Sequence, residues 1–330
     1  MNIYTTLKEL CICPSVSGRE NAVREKIKNM ITPYCHEMRV DKMGNLIALK
    51  KGKGSGRIML TAHMDEIGFI VTMIEDNGLL RIAPIGGISF TAAAFCSVIS
   101  EKGVKGTVVP NDDVKASDYK ADVFYIDIGA KGKRSAERKA SIGDFFVLTP
   151  KLERLMGSRV CGRPLDDRVG CAVVLDIAER LWGKETENDV YYVFSVQEEV
   201  GCRGAGTAAF AIAPDVALCF DVTATGDTPS AKPMACSLGD GAAVKIKDSS
   251  VICSEEIVNE LCRVAESKKI KYQREILLFG GTDTSSMQLA GSGAAVGALS
   301  IPTRYIHSGS EVCDLADAKA CADIAVEFVS

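Results

Sequence analysis

Five short segments of this 330-residue chain carry side chains that could do chemistry together: Thr61-Ala-His63-Met-Asp65-Glu66, Pro164-Leu-Asp166-Asp167-Arg168, Ser195-Val-Gln-Glu198-Glu199, Phe220-Asp221 and Tyr305-Ile-His307-Ser308. In an extended segment residues two apart point to the same side, so His63 could bind a metal while Asp65 accepts a hydrogen bond from its other ring nitrogen. A single histidine at a strand end is more often structural. Asp166-Asp167 before a helix, taken alone, reads more readily as a cap with a second acid favoured by the helix dipole. A carboxylate can also bridge two cations about 3.5–4 Å apart. Adjacent Glu198 and Glu199 repel and resist joint burial, unless both face solvent. Beside a metal, one can be a ligand and the other a general base. Asp221 closes so apolar a run that it calls for a cation or a full set of hydrogen bonds. Jointly, two histidines and three carboxylates form a donor set suited to zinc or cobalt. The third histidine, His36, lies in a polar linker and is assigned no role.

These segments fall at the ends of predicted strands, where open α/β sheets place their ligand sites. Strand-like runs cover Leu46–Leu49 and Arg57–Ala62, the second ending at His63. Val190–Val196 and Val216–Phe220 read as buried strands, and Ala294–Leu299 is an apolar run that precedes His307. Helical spacing links Val169, Val173, Val174, Ile177 and Leu181, then Ile257, Leu261 and Val264, and finally Leu315 to Phe328. Near the amino terminus, Ser17-Gly-Arg-Glu20 has the form of a capping box ahead of Val23, Ile27 and Ile31. From about Gly68 to Arg159 the texture changes to short β-rich runs, Phe69–Ile74, Phe95–Ile99, Val123–Ile128 and Phe145–Leu148. Asp76-Asn-Gly78, Gly86-Gly87 and Pro110-Asn111 act as turn signals between them, and only Ser135–Lys139 is suited to a helix. The simplest architecture is an α/β sandwich with a largely parallel sheet, formed by 1–67 and 160–330 and interrupted by a small all-β module over 68–159.

Apolar residues make up 47% and charged residues 25%, the balance of a soluble globular protein. A net charge of -4 without a basic run gives no sign of nucleic acid or of an anionic membrane as partner. No apolar run approaches the roughly 20 residues of a membrane span. The first ten residues do not read as a secretory signal. Thirteen scattered cysteines without a C-x-x-C pair read as reduced, mostly buried small hydrophobes in a reducing, cytoplasmic compartment.

Read together, Ala62-His-Met-Asp-Glu-Ile-Gly-Phe69, Leu165-Asp-Asp-Arg-Val-Gly170, Gln197-Glu-Glu-Val-Gly-Cys-Arg-Gly-Ala205, Asp221–Asp227, Gly280-Gly-Thr-Asp283 and Ile301–Ser308 resemble the M42 family of metallo-aminopeptidases. They stand in family order and cover most of the chain. The resemblance implies a zinc-exopeptidase-like, three-layer α/β/α core with an inserted β domain used in dimerisation, and assembly as a dimer or a dodecamer. It implies that Asp166 bridges two metals across a cis peptide bond to Asp167. His63 and Asp221 would complete one site, and Glu199 and His307 the other. Glu198 would be the base and Asp65 would orient His63. Two positions depart from the family pattern: Gly309 stands where Pro is expected, and Thr223-Ala-Thr225 where a His is frequent.

The expected activity is hydrolysis of the N-terminal residue of peptides with a free amino terminus, through a hydroxide shared by two zinc or cobalt ions and a glutamate base. Gly280, Gly281, Thr282 and Asp283 are candidate substrate contacts, although a Gly-Gly turn before a short helix is an equal structural reading. The alternatives are a metal-dependent deacylase using the same residues on N-acyl substrates, and a scaffold without chemistry. A glycoside hydrolase would also use paired carboxylates, but needs no such metal set and is poorly served by one tryptophan.

Overall fold

The computed structural model describes residues 1–229 and 231–330. An 11-stranded sheet runs through the larger part of the chain. Its four central strands, Asp189–Ser195, Arg57–His63, Val216–Thr223 and Ala295–Arg304, lie side by side and parallel. They are rich in Val, Leu, Phe and Ala and almost wholly buried. That is the pattern of strands covered on both faces. Antiparallel strands flank this centre. Leu46–Lys50 and Glu37–Val40 extend one side; Glu311–Asp314, Arg159–Arg163 and Lys151–Arg154 extend the other.

Helices Ile3–Cys11, Asn21–Ile31, Arg168–Leu181, Glu255–Lys268 and Leu315–Val329 pack together on the sheet, and Arg203–Ile212 packs with Thr284–Gln288 as a separate pair. The result is the α/β/α layering expected. Arg168–Leu181 is buried over nearly its whole circumference, because it lies between the sheet and the two terminal helices. One expected start fails. Asn21–Ile31 has no side-chain cap. Ser17 Oγ instead donates to Asp65, and the Glu20 carboxylate accepts from the amides of Gly18 and Gln197. The long-range polar groups around Asp65 outcompete the local capping box.

Six strands, Gly68–Ile74, Leu80–Ile85, Phe124–Asp127, Lys105–Pro110, Ser97–Ser100 and Phe145–Leu148, close into a small barrel. It encloses its own core around Phe69, Phe124, Val108 and Phe146. Two short helices, Phe90–Ala93 and Lys133–Ala136, accompany it; only the second lies near the helix expected from sequence. The strand expected from Phe95 begins at Ser97, since Phe95 has φ 62° and is 68% exposed. The barrel closes at Leu148, and Lys151–Arg154 already pairs in the large sheet. All thirteen cysteines are free thiols, eight of them buried, in keeping with their reading as small core hydrophobes. Among the described residues, no helix is long and apolar enough to cross a membrane.

Candidate active site

The carboxyl ends of the parallel strands open into a cavity of about 970 Å³. His63, Asp166, Glu198, Glu199, Asp221 and His307 all line it. His63 is the last residue of its strand, in register with Ser195 beside it. Its Nε2 lies 3.0 Å from Asp166 Oδ1 and 3.7 Å from Asp221 Oδ1. The other Asp166 oxygen, Oδ2, lies 3.1 Å from His307 Nε2, which is also 3.2 Å from Glu199 Oε2. One carboxylate therefore faces two histidines with its two oxygens. Asp221 is not at a strand end, as the strand continues to Thr223; Oδ1 also accepts from the amide of Val222.

The backbone turns that deliver these groups are built for it. Asp167 caps the helix Arg168–Leu181 by accepting from Gly170 N, and its other oxygen lies 3.3 Å from the amide of His63. A Cβ on Gly170 would sit 2.3 Å from the Asp167 carboxylate, so the cap requires glycine there. The cap reading thus holds for Asp167, while Asp166 faces the cavity. The peptide bond between them is cis, as the family resemblance implies. His307 has φ 62°, in the turn between Ala295–Arg304 and Glu311–Asp314.

Asp65 is fully buried. Its carboxylate accepts from the amides of Glu198 and Glu199 at 3.0 and 3.2 Å and from Ser17 Oγ at 2.7 Å. Its distance to His63 Nδ1 is 3.6 Å, and the nearer acceptor for that nitrogen is the Asp65 carbonyl at 3.1 Å. Asp65 thus holds the Glu198-Glu199 loop as well as the histidine. Of the Gly280–Asp283 segment, Gly280 and Gly281 line the cavity. Thr282 and Asp283 are buried behind it, with Thr282 bonded to Thr284 and Asp283 accepting from Ser195 Oγ. His36 is remote from the site; it accepts from the amide of Lys51 and packs on Trp182.

Four contributors escape sequence reasoning. Glu311 accepts from the amides of Leu165, Asp166 and His307, tying together the two loops that bring Asp166 and His307 face to face. Gly87, from the barrel, offers its carbonyl 2.8 Å from His307 Nδ1, which turns Nε2 toward the carboxylates. Gly86 beside it has φ 76°, and a Cβ there would meet Ile67 at 2.6 Å and Glu199 at 3.1 Å. The Gly-Gly pair signalled a turn in the sequence; its approach to Glu199 and His307 depends on where the barrel docks. Cys202 places Sγ 3.2 Å from Glu198 Oε1.

The electrostatics are lopsided. Seven carboxyl groups, Asp65, Asp166, Asp167, Glu198, Glu199, Asp221 and Asp283, crowd around two histidines, and among the described residues none of them pairs with Lys or Arg. Burial, then the charge of their acidic neighbours, holds Glu198, Asp167 and Asp221 above the usual carboxylate range, and Asp283 is pushed up to about 7. Burial lowers the His307 pKa, but its hydrogen bonds to the Asp166 and Glu199 carboxylates outweigh it and raise the ring to about 11. Burial likewise opposes the charge on Asp166, and its two histidines outweigh it and keep the carboxyl below the ordinary value. A site in which both histidines are drawn to carry protons is a site short of positive charge. Among the described residues, three donor groups could hold an ion: His63, Asp166 and Glu199; His63, Asp167 and Asp221; and Glu198, Cys202 and Asp283.

Fold and cavity together define a class, an α/β protein whose acid–histidine pocket lies at the carboxyl ends of a parallel sheet. The model of the M42 glutamyl aminopeptidases matches residues 44–324, and the chain belongs to the M42 peptidase family. A protein of Acetivibrio thermocellus, provisionally named an aminopeptidase, is 43% identical over 99% of this chain and 98% of its own. Lysyl aminopeptidase of Pyrococcus furiosus is 33% identical over 95% of this chain and 93% of its own. Among solved structures, an aminopeptidase from the archaeon Desulfurococcus kamchatkensis superposes with a TM-score of 0.95 at 36% identity, covering 99% of this chain and 94% of that one. The TET1 peptidase of Pyrococcus horikoshii, described as assembling into a tetrahedron or a large octahedral shell, superposes at 0.87 with 32% identity and 99% of both chains covered.

Proposed function

We propose that this chain is a metal-dependent aminopeptidase that removes the N-terminal residue of peptides, with Glu198 as general base. The observation that carries the reading is the division of the Asp166 carboxylate between His63 and His307 at 3.0 and 3.1 Å. Two donor sets that share one carboxylate suit two divalent ions. His63, Asp166 and Asp221 would hold one, and Asp166, Glu199 and His307 the other. The donors fit such ions on three counts. Imidazole mixed with carboxylate favours zinc or cobalt. The excess of buried carboxylates calls for several positive charges. Glu199 Oε1 is buried without any hydrogen-bond partner among the described residues. When bound, two such ions supply Lewis acidity toward a scissile carbonyl and lower the pKa of water at the site.

The remaining work falls to the chain's own residues. Glu198 accepts the proton of the attacking water and returns it to the departing amine. Asp65 fixes the main chain of Glu198 and Glu199, so that base and ligand keep their separation. Once ionised beside bound cations, Asp283 and Glu198 would add negative charge, which favours a substrate with a free α-ammonium over an N-acylated one. The Gly280-Gly281 turn leaves open space in the cleft for the first side chain of the peptide. We further propose that the chain assembles with copies of itself, as a dimer or dodecamer, with the inserted barrel as the dimerising part. The assembly described for the TET1 peptidase supports this.

Glu198→Gln tests the central role. It keeps the shape of the side chain but removes the base, so turnover should fall by about 10²–10⁴-fold while the first two equivalents of metal bind as before. Retained turnover with full metal content would remove Glu198 from this role.

A further inference from the structure

We propose that Glu198, Cys202 and Asp283 form a third cation site, which silences the enzyme by capturing its base. Its ligands stand on their own geometry; the inhibitory consequence rests on the reading of Glu198 given above. The three residues offer donor atoms that all lie within 4.8 Å of one another. Cys202 Sγ and Glu198 Oε1 are 3.2 Å apart. Ligands about 2.0–2.3 Å from one tetrahedral ion sit roughly 3.5 Å from each other, so this pair needs little movement to share one.

Asp283 supplies an independent observation. It is 1% exposed, yet Oδ1 has no hydrogen-bond partner among the described residues. A buried carboxylate oxygen left without a donor is costly, and a cation would relieve it. Cys202 precedes the helix Arg203–Ile212 with φ 51° and makes no capping bond; its thiol meets Glu198 instead. Both Cys202 and Glu198 line the cavity, so an ion can reach them from the cleft. Forming the sulfur–metal bond breaks the S–H bond and releases its proton to solvent. Because one ligand is sulfur, the site would take zinc, cobalt or cadmium in preference to magnesium or calcium. An ion held here draws on the Glu198 carboxylate and lowers its basicity, and turnover would stop.

The test is a titration of the full chain, freed of metal with a chelator, using cobalt and then zinc. Bound metal is read by equilibrium dialysis with elemental analysis, and the cobalt–thiolate charge-transfer band by near-ultraviolet absorption. The expected result is activity restored over the first two equivalents, followed by a weaker third equivalent that brings the thiolate band and loss of turnover. Losing a supporting partner alone costs about 10–100-fold in metal affinity. Cys202→Ser should therefore abolish the band and raise the inhibitory metal concentration at least about tenfold, judged against that variant's own uninhibited rate. Cys202→Ala serves the same purpose should the serine still bind. Binding that stops at two equivalents in the unaltered chain, or a band that survives in both variants, would overturn the site. Fewer than two other equivalents would count against the two-ion reading instead, and a Cys202-dependent band would still uphold the third site.

Discussion

Glu311 carries no candidate chemistry of its own, yet it accepts hydrogen bonds from three amides, those of Leu165, Asp166 and His307. These belong to the two loops that bring Asp166 within reach of His307. Glu311→Gln replaces one accepting oxygen with a donor, which leaves a buried amide unpaired at a cost of about 1–3 kcal/mol. Because the loops then lose their register, metal affinity should fall about 10–100-fold, as for other groups that orient ligands. Equilibrium dialysis of the variant checks this, and affinity equal to the parent's would make Glu311 merely structural. The contrast with His63, Asp166, Glu199, Asp221 and His307 shows what a sequence can reveal at this scale. Those five are legible only jointly, because each alone has a structural reading while two histidines and three carboxylates in successive segments suit a metal. Glu311, Gly86 and Gly87 are not legible, because their partners are set by how distant segments dock. Ser17 was misread for the same reason: its spacing to Glu20 suits a helix cap, but its hydroxyl reaches Asp65.

At the scale of elements, the site hangs on the ends of strands that are buried on both faces, and those ends are tied by charge. Glu66, fully buried, lies 3.4 Å from both Arg163 and Arg168 and accepts from the amide of Ser15 at 3.1 Å. It joins the N-terminal loop, the strand Arg159–Arg163 and the first turn of the helix Arg168–Leu181. Glu66→Ala would leave two buried guanidinium groups facing each other without their anion. The expected cost is about 3–5 kcal/mol, read from urea denaturation. A loss under about 1 kcal/mol would place this cluster among weakly coupled, surface-like pairs. The parallel centre and the flanking strand Leu46–Lys50 are readable from apolar runs and helical stripes, whereas the other flanking strands are not. Lys151–Arg154 and Glu37–Val40 are short, mostly exposed and charged, so no periodicity marks them, and only pairing with a neighbour makes them strands.

At the scale of the molecule, the barrel reaches back to the acid–histidine cavity through Gly86 and Gly87, so the inserted part and the core share one candidate site. The barrel surface leaves Phe95 and Ile142 largely exposed. With self-assembly, light scattering should report a mass of at least two chains, and a monomer at all concentrations would remove assembly from the account.

The most direct measurement is release of chromophore from a panel of aminoacyl-p-nitroanilides, alongside their N-acylated counterparts, before and after chelation and with zinc or cobalt restored. The account predicts cleavage of free-amine substrates only, lost on chelation and regained with metal. Cleavage that survives complete metal removal, or that is confined to N-acylated substrates, would contradict it.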